Sequence, residues 1–185
     1  LDESSEGQVA FVADGVVPVI ATPQGLIPGN DNMDIGSSSG KRYKTVYAET
    51  FDGTATKAQY ADLAENYLAD NQYEVGTVLI FGGDTEVTTT ALRGDTRVAG
   101  VVSENPAHLM NNALEGDNVT AVALTGRTPI KVVGIVQKGD MLISSGTQGF
   151  AVRSTDPKVG TVIGKALENK TDAGEGVIEA VVGRV

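Results

Sequence analysis

The chain has 185 residues, with 14 Lys plus Arg against 24 Asp plus Glu for a net charge of −10, one His, no Cys, no Trp and 23 Gly. A deficit of cations opposes the counterion release that drives binding to nucleic acid. The lack of cysteine excludes disulfides, thiolate nucleophiles, zinc–thiolate sites and iron–sulfur clusters, and a single His excludes a His-rich metal centre. The longest apolar runs, Val119 to Leu124 among them, fall far short of the roughly 20 residues that span a bilayer, so membrane insertion is not expected. Leu1 opens an acidic stretch with no signal-peptide pattern, and the expectation is a fragment or processed product. Aromatic residues are only 5% of the chain, so Val, Ile, Leu and Ala must fill the core, and many β-branched residues between turn signals point to short strands.

In chain order, Val9 to Ala13 and Val16 to Ile20 are apolar runs split by Asp14-Gly15, a hairpin signal because both residues tolerate positive φ. Pro23 to Gly25, Pro28, Gly29 and Asn30 to Asn32 read as loop. Asp31, Asn32 and Asp34 with Ser37 offer oxygen ligands for calcium, yet no twelve-residue loop ending in Glu follows, and a turn is the better reading. Tyr43 to Thr50 reads as a strand with weakly distinguished faces, which suggests burial against another chain. From Thr54 to Asp70, Tyr60, Leu63, Ala64, Tyr67 and Leu68 recur at helical spacing, predicting one short helix. The pattern then returns to strands over Gly76–Phe81, Arg97–Ser103, Val119–Leu124, Ile130–Val136, Asp140–Ile143, Gly149–Arg153, Thr161–Leu167 and Gly176–Val182. Such close spacing is that of a sandwich or small barrel.

Few residues suggest chemistry. Phe81-Gly82-Gly83-Asp84 lacks the Gly-Lys-Ser/Thr ending of a phosphate loop and reads as a turn. His108 has no partner identifiable from sequence, and Arg93-Gly94-Asp95 spells a short adhesion tripeptide that arises readily by chance. On a helix, Asp62 and Glu65 would share a face, and two carboxylates with separated pKa values can divide acid and base work. A solvated helix face is the plainer reading. No cofactor or metal is expected.

The row from Asp31 to Ala55, DNMDIGSSSGKRYKTVYAETFDGTA, resembles a stretch near the C-terminal ends of phage tail fibres and spikes. Tyr60 to Glu65, Val75 to Leu79, Val98 to Ser103 with Asn105-Pro106, Gly126 to Val132, Lys138 to Asp140 and Val162 to Leu167 resemble, in that order, the autoproteolytic intramolecular-chaperone domain of phage spikes, and rows in cyanophage fibre-like virion proteins. The resemblance implies a mainly β fold: a short-stranded sandwich or small barrel with at most one short helix, preceded by a β-rich fibre arm, as an intertwined homotrimer. The division it implies is an arm over 1–53 and a chaperone-like β domain over 54–185. It also implies an extended course, rather than a helix, around Tyr60 to Glu65.

The function so implied is that of a structural virion protein, the trimerisation and folding domain of a tail fibre or spike, made in the bacterial host cytoplasm and placed in the virion. Its partners would be its own copies and other fibre or baseplate proteins, with no nucleic acid. Alternatives are a self-cleaving chaperone, a tip that binds a host glycan or surface protein through loops such as Gly82–Thr90 and Asn111–Asn118, or a capsid-decorating protein. Self-cleaving members use carboxylates in a row like Asp-Tyr-Ala-Glu followed by another Glu. Here Gln59, Tyr60, Ala61 and Asp62 precede Glu65, so one carboxylate has become an amide and another is a methylene shorter. The expected form is uncut, with Asp62 and Glu65 the catalytic candidates if cleavage occurs.

Overall fold

The computed structural model describes the strands between residues 2 and 28 and the continuous stretch 62–183. The calcium-type cluster at Asp31–Ser37 and the double-faced strand at Tyr43–Thr50 lie outside the described residues. The chain divides into two compact units, Leu1–Thr54 and Ala55–Val185.

In the first unit β1 (Asp2–Ser4), β2 (Gln8–Ala13), β3 (Val16–Thr22) and β4 (Gly25–Pro28) form a four-stranded sheet in sequence order. Strands β2 and β3 pair antiparallel, with Ala13 opposite Val16, the pairing expected around Asp14-Gly15. Strand β4 replaces part of the loop expected from Pro23 to Gly29. Among the described residues it pairs only with β3, from Val19↔Pro28 to Thr22↔Gly25, and proline is tolerated at such an edge because a missing N–H costs no second ladder.

The second unit is entirely β among its described residues. Its spine is β10 (Val119–Val133), fifteen residues long. The C-terminal half of β10 pairs antiparallel with β14 (Glu175–Val182), and the order continues through β13 (Val162–Ala166), β11 (Met141–Ser144) and β12 (Ala151–Ser154). Strand β12 returns to β10 through the parallel pair Val132↔Ala151, closing a barrel. Its interior is filled by Ile130, Val132, Leu142, Ile163, Ile178, Ala180 and Val182, with Val78 and Val101 at one end. These alternate with outward residues, as the period of a strand requires.

The N-terminal half of β10 carries an extension. On one side it pairs with β8 (Val98–Val102), followed by β6 (Val78–Phe81) and β7 (Val87–Thr88). On the other it pairs with β5 (Asp62–Leu68), which in turn pairs with β9 (His108–Met110) in parallel. A second apolar cluster of Leu79, Val87, Val102, Val122 and Ala69 lies here. Tyr67 and Phe81 meet edge-on beside it, 5.5 Å between ring centres.

Two expectations need correction. The helix predicted from Thr54 to Asp70 is, where described, a strand over Asp62–Leu68, with seven residues paired to β10 between Val119↔Leu68 and Gly126↔Asp62. Ala, Leu and Glu favour a helix by only fractions of a kcal/mol each, and a full ladder against a long neighbour outweighs that preference. The run Val119–Leu124 and the first four residues of Ile130–Val136, expected as separate strands, belong to the single strand β10, which ends at Val133; Val136 forms an isolated bridge to Lys170. The interval between the two runs stays within the strand, with a bulge between Ala123 and Thr125 and a positive φ at Gly126 (117°). Pro129 falls beyond the part paired with β5 and before the bridge to β12.

The resemblance motifs fall on this framework. Val98–Ser103 is β8 and one following residue, and Gly100 packs so closely against β10 that a Cβ there would run into the Ala123 carbonyl oxygen. Val75–Leu79 turns into β6 through Gly76 (φ 83°), whose N–H donates to Val102 O at 2.9 Å while its carbonyl accepts Lys131 N–H at 2.8 Å.

Candidate functional site

Asp62 opens β5 and is 6% exposed. Along a strand, side chains alternate between faces, and β5 buries Asp62, Ala64 and Asn66 while Leu63, Glu65 and Tyr67 take the other face. Asp62 and Glu65 therefore point to opposite sides of the sheet, because three residues along a strand is an odd step. Glu65 accepts a 2.7 Å hydrogen bond from the Tyr67 hydroxyl. Burial of Tyr67, with that bond and the charge of Glu65, pushes its phenol up to about 12.

Asp62 faces a small cavity of about 130 Å³. Its walls are Ser103, Glu104 and Asn105 from the segment after β8, and Arg127, Thr128 and Pro129 from β10. The backbone carbonyl of Asp62 accepts Ala107 N–H at 2.9 Å, fixing the Asn105-Pro106 segment beside it. The carboxylate Oδ2 is buried without a hydrogen-bond partner among the described residues. A buried polar atom left unpaired is costly, so this oxygen is set to accept a donor entering the cavity. Three motif segments from different parts of the chain, around Asp62, Asn105 and Arg127, converge on this one cavity.

A second, larger cleft of about 520 Å³ lies on the barrel between the end of β12 and the turn into β13. Arg93, Arg153 and Lys158 line it with Ser154, Thr155 and Asp156, and Ile143, Gly94 and Thr161 lie at its base. The adhesion-like tripeptide contributes to it in an unexpected way. Asp95 is 2% exposed and accepts hydrogen bonds from Arg97 Nη2 at 2.7 Å, Arg97 Nε and backbone N–H at 3.0 Å each, and Thr90 Oγ1 at 2.9 Å. The Arg97 guanidinium, helped by the backbone and Thr90 bonds, holds this carboxyl down at about 2 against the opposing effect of burial. Asp95 is thus an anchor inside the fold and is not displayed to a receptor. It fixes the loop that presents Arg93, whose Nη2 donates to Arg153 O at 3.1 Å.

His108 lies exposed on β9, opposite Leu63. No cluster of three or more His, Asp or Glu suited to a metal ion occurs among the described residues, and none of them forms a helix long and apolar enough to cross a membrane. The loops first considered as binding surfaces are tied down. In Gly82–Thr90, Thr88 Oγ1 donates to Asp70 Oδ2 at 2.7 Å, a bond that, with one from Tyr73, holds the Asp70 carboxyl below its usual range. In Asn111–Asn118, Asn111 and Asn66 exchange side-chain-to-carbonyl bonds of 3.1 and 3.3 Å. The sequence offered no spacing signal for the grouping of Arg93, Arg153 and Lys158, since the β7–β8 connection and the end of β12 with its link to β13 meet only in the fold.

No family model matches the chain, and no curated protein matches it. Among solved structures the chain is similar to the head fibre gp8.5 N base of bacteriophage phi29, with 18% identity, a TM-score of 0.39, and coverage of 64% of this chain and 92% of that one.

Proposed function

We propose that this chain is a structural virion protein, the trimerisation and folding domain of a bacteriophage tail fibre or spike, acting uncut beside other fibre or baseplate proteins. The observation behind this reading is the convergence of the resemblance motifs on one framework. Residues near Asp62, Asn105 and Arg127 surround a single cavity, while Gly100 and Gly76 occupy positions set by close backbone contact. The motif residues thus specify a closed barrel with a strand extension, a unit suited to folding first and bringing three chains into register. The extension leaves β7 and β9 at the ends of its pairing, and a threefold assembly would cover such edges.

The separation of Asp62 from Glu65 supports the uncut form. A general acid and a general base acting on one bond must both reach it within about 3 Å, and here one carboxylate faces the cavity while the other bonds Tyr67 on the opposite face. The test is light scattering with intact-mass spectrometry on the same sample. The expected result is about 57 kDa in solution, three times the 19.1 kDa chain, built from uncut polypeptide. A stable monomer would overturn the assembly reading. A cut chain, with cutting abolished in Asp62→Ala, would restore the self-cleaving alternative.

A further inference from the structure

The cleft bounded by Arg93, Arg153 and Lys158 stands out because of the chain that holds it. The whole protein carries a charge of −10, yet three cations and one carboxylate, Asp156, line this cleft, for a local formal charge of +2. Among the described residues Arg93 and Lys158 form no ion pair, and the one made by Arg153, to Asp140, is 4.0 Å long. Of the described cations outside the cleft, Arg97, Lys131 and Lys170 meet Asp95, Glu74 and Asp172 at 2.7 Å, and Arg127, Lys138 and Lys165 form no ion pair, but only this cleft brings three together. An acidic protein gains nothing in solubility by gathering unpaired cations in a concavity, where their mutual repulsion opposes folding.

The cleft is also built. The Asp95 anchor and the bond from Gly94 N to Ser144 O, 2.9 Å, hold the Arg93 loop against β11. The Arg93 guanidinium is oriented by its bond to Arg153 O, and the far wall is fixed by Thr161, whose N–H and hydroxyl both donate to Lys158 O, at 3.1 and 2.7 Å. A guanidinium keeps further N–H donors after one bond is made and matches the geometry of phosphate oxygens.

We infer that this cleft binds a phosphomonoester carried on a small polyhydroxylated molecule, a sugar phosphate. A phosphomonoester at neutral pH has a charge between about −1.5 and −2, matching the local charge. The volume of about 520 Å³ exceeds what a phosphate alone fills and lies in the range of small-molecule sites. The remaining space is bounded by Ser154, Thr155 and Asp156, which supply hydroxyl and carboxylate partners for sugar hydroxyls. The site lies within one chain, so the inference does not depend on trimer formation.

The test is calorimetric titration of the full chain at pH 7 and low ionic strength with glucose 6-phosphate, glucose and inorganic phosphate. The expected order is glucose 6-phosphate at least about tenfold tighter than either fragment, with affinity falling as salt is added. Lys158→Gln and Arg153→Gln should each weaken binding about fivefold, the value of one surface charge contact near 4 Å. Lys131→Gln, at an ion pair outside the cleft, should leave it unchanged. Circular dichroism melts of each variant separate lost binding from lost fold. Binding of glucose as tight as that of the phosphate ester would overturn the role of charge. Equal binding of inorganic phosphate would overturn the sugar component, and no heat with any probe would overturn the site.

Discussion

Asp95→Asn is the most informative single change, because the carboxylate is both a structural anchor and the support of the cationic cleft. The substitution keeps the shape of the side chain but removes the charge that four hydrogen bonds address, three of them from Arg97. The Asp95 carboxyl lies at about 2, against an ordinary 3.8, and each unit of such a shift corresponds to about 1.4 kcal/mol. The full difference would be about 2.5 kcal/mol. The carboxylate is almost fully covered but its partner Arg97 is 57% exposed, so solvent and salt screen the pair and about 1–2 kcal/mol is expected instead.

The sign of the pH dependence follows from the depressed value. Above pH 4 both folded and unfolded chains carry the ionised group, and the stabilisation is complete. As pH falls from about 4 to about 2 the unfolded chain takes up the proton first, and the stabilisation is lost. Urea unfolding of wild type and Asp95→Asn at one protein concentration should therefore give curves about 1–2 kcal/mol apart at pH 7 that converge between pH 4 and 2. A gap below 0.5 kcal/mol at pH 7, or one that persists undiminished at pH 2, would refute the reasoning.

Lys170→Met should lower stability by about 1–2 kcal/mol, measured by urea unfolding, because the buried ammonium donates to Asp172 Oδ1 and to the carbonyls of Asp172 and Gly174 at 2.6 to 2.8 Å, and methionine retains only the stem. Gly100→Ala should cost more than about 2 kcal/mol or prevent folding, read by the thermal midpoint, since the new methyl meets the Ala123 backbone. In a spectrophotometric titration one tyrosine should ionise near pH 12 and disappear in Tyr67→Phe. Because that phenol is raised, its stabilising effect is complete below pH 10 and fades as pH rises towards 12, so the variant's deficit should shrink over that interval.

Most of the barrel was legible because its strands bury one apolar face. In β14, Ile178, Ala180 and Val182 point inward and alternate with Val177, Glu179 and Val181, the signal that period-2 reading detects. The same method missed β5 for a physical reason. Its buried face consists of Asp62, Ala64 and Asn66, while Leu63 and Tyr67 lie on the other. An inward face that is polar or small leaves no apolar alternation to find, and the outward Leu and Tyr residues coincide with helical spacing. The short strands β7 and β9, two and three residues long, are defined by their partners and leave almost no pattern of their own.

The failure at β5 bears directly on function. Read as a helix, the segment placed Asp62 and Glu65 side by side and made a two-carboxylate site conceivable within one chain. As a strand it divides them, giving Glu65 to Tyr67 and leaving Asp62, without Glu65, at the cavity it shares with Glu104, Asn105 and Arg127. The inward polar face that hid the strand from the sequence is thus the feature that builds the cavity. An apolar residue at position 62 would have made β5 easier to read and would have removed the unpaired oxygen that distinguishes the site. Asp62→Leu separates the two roles: if the aspartate serves only the fold, filling the cavity should raise the thermal midpoint without changing the assembled mass. A lower mass despite an unchanged or higher midpoint would instead mark Asp62 as an acceptor for a donor from another chain.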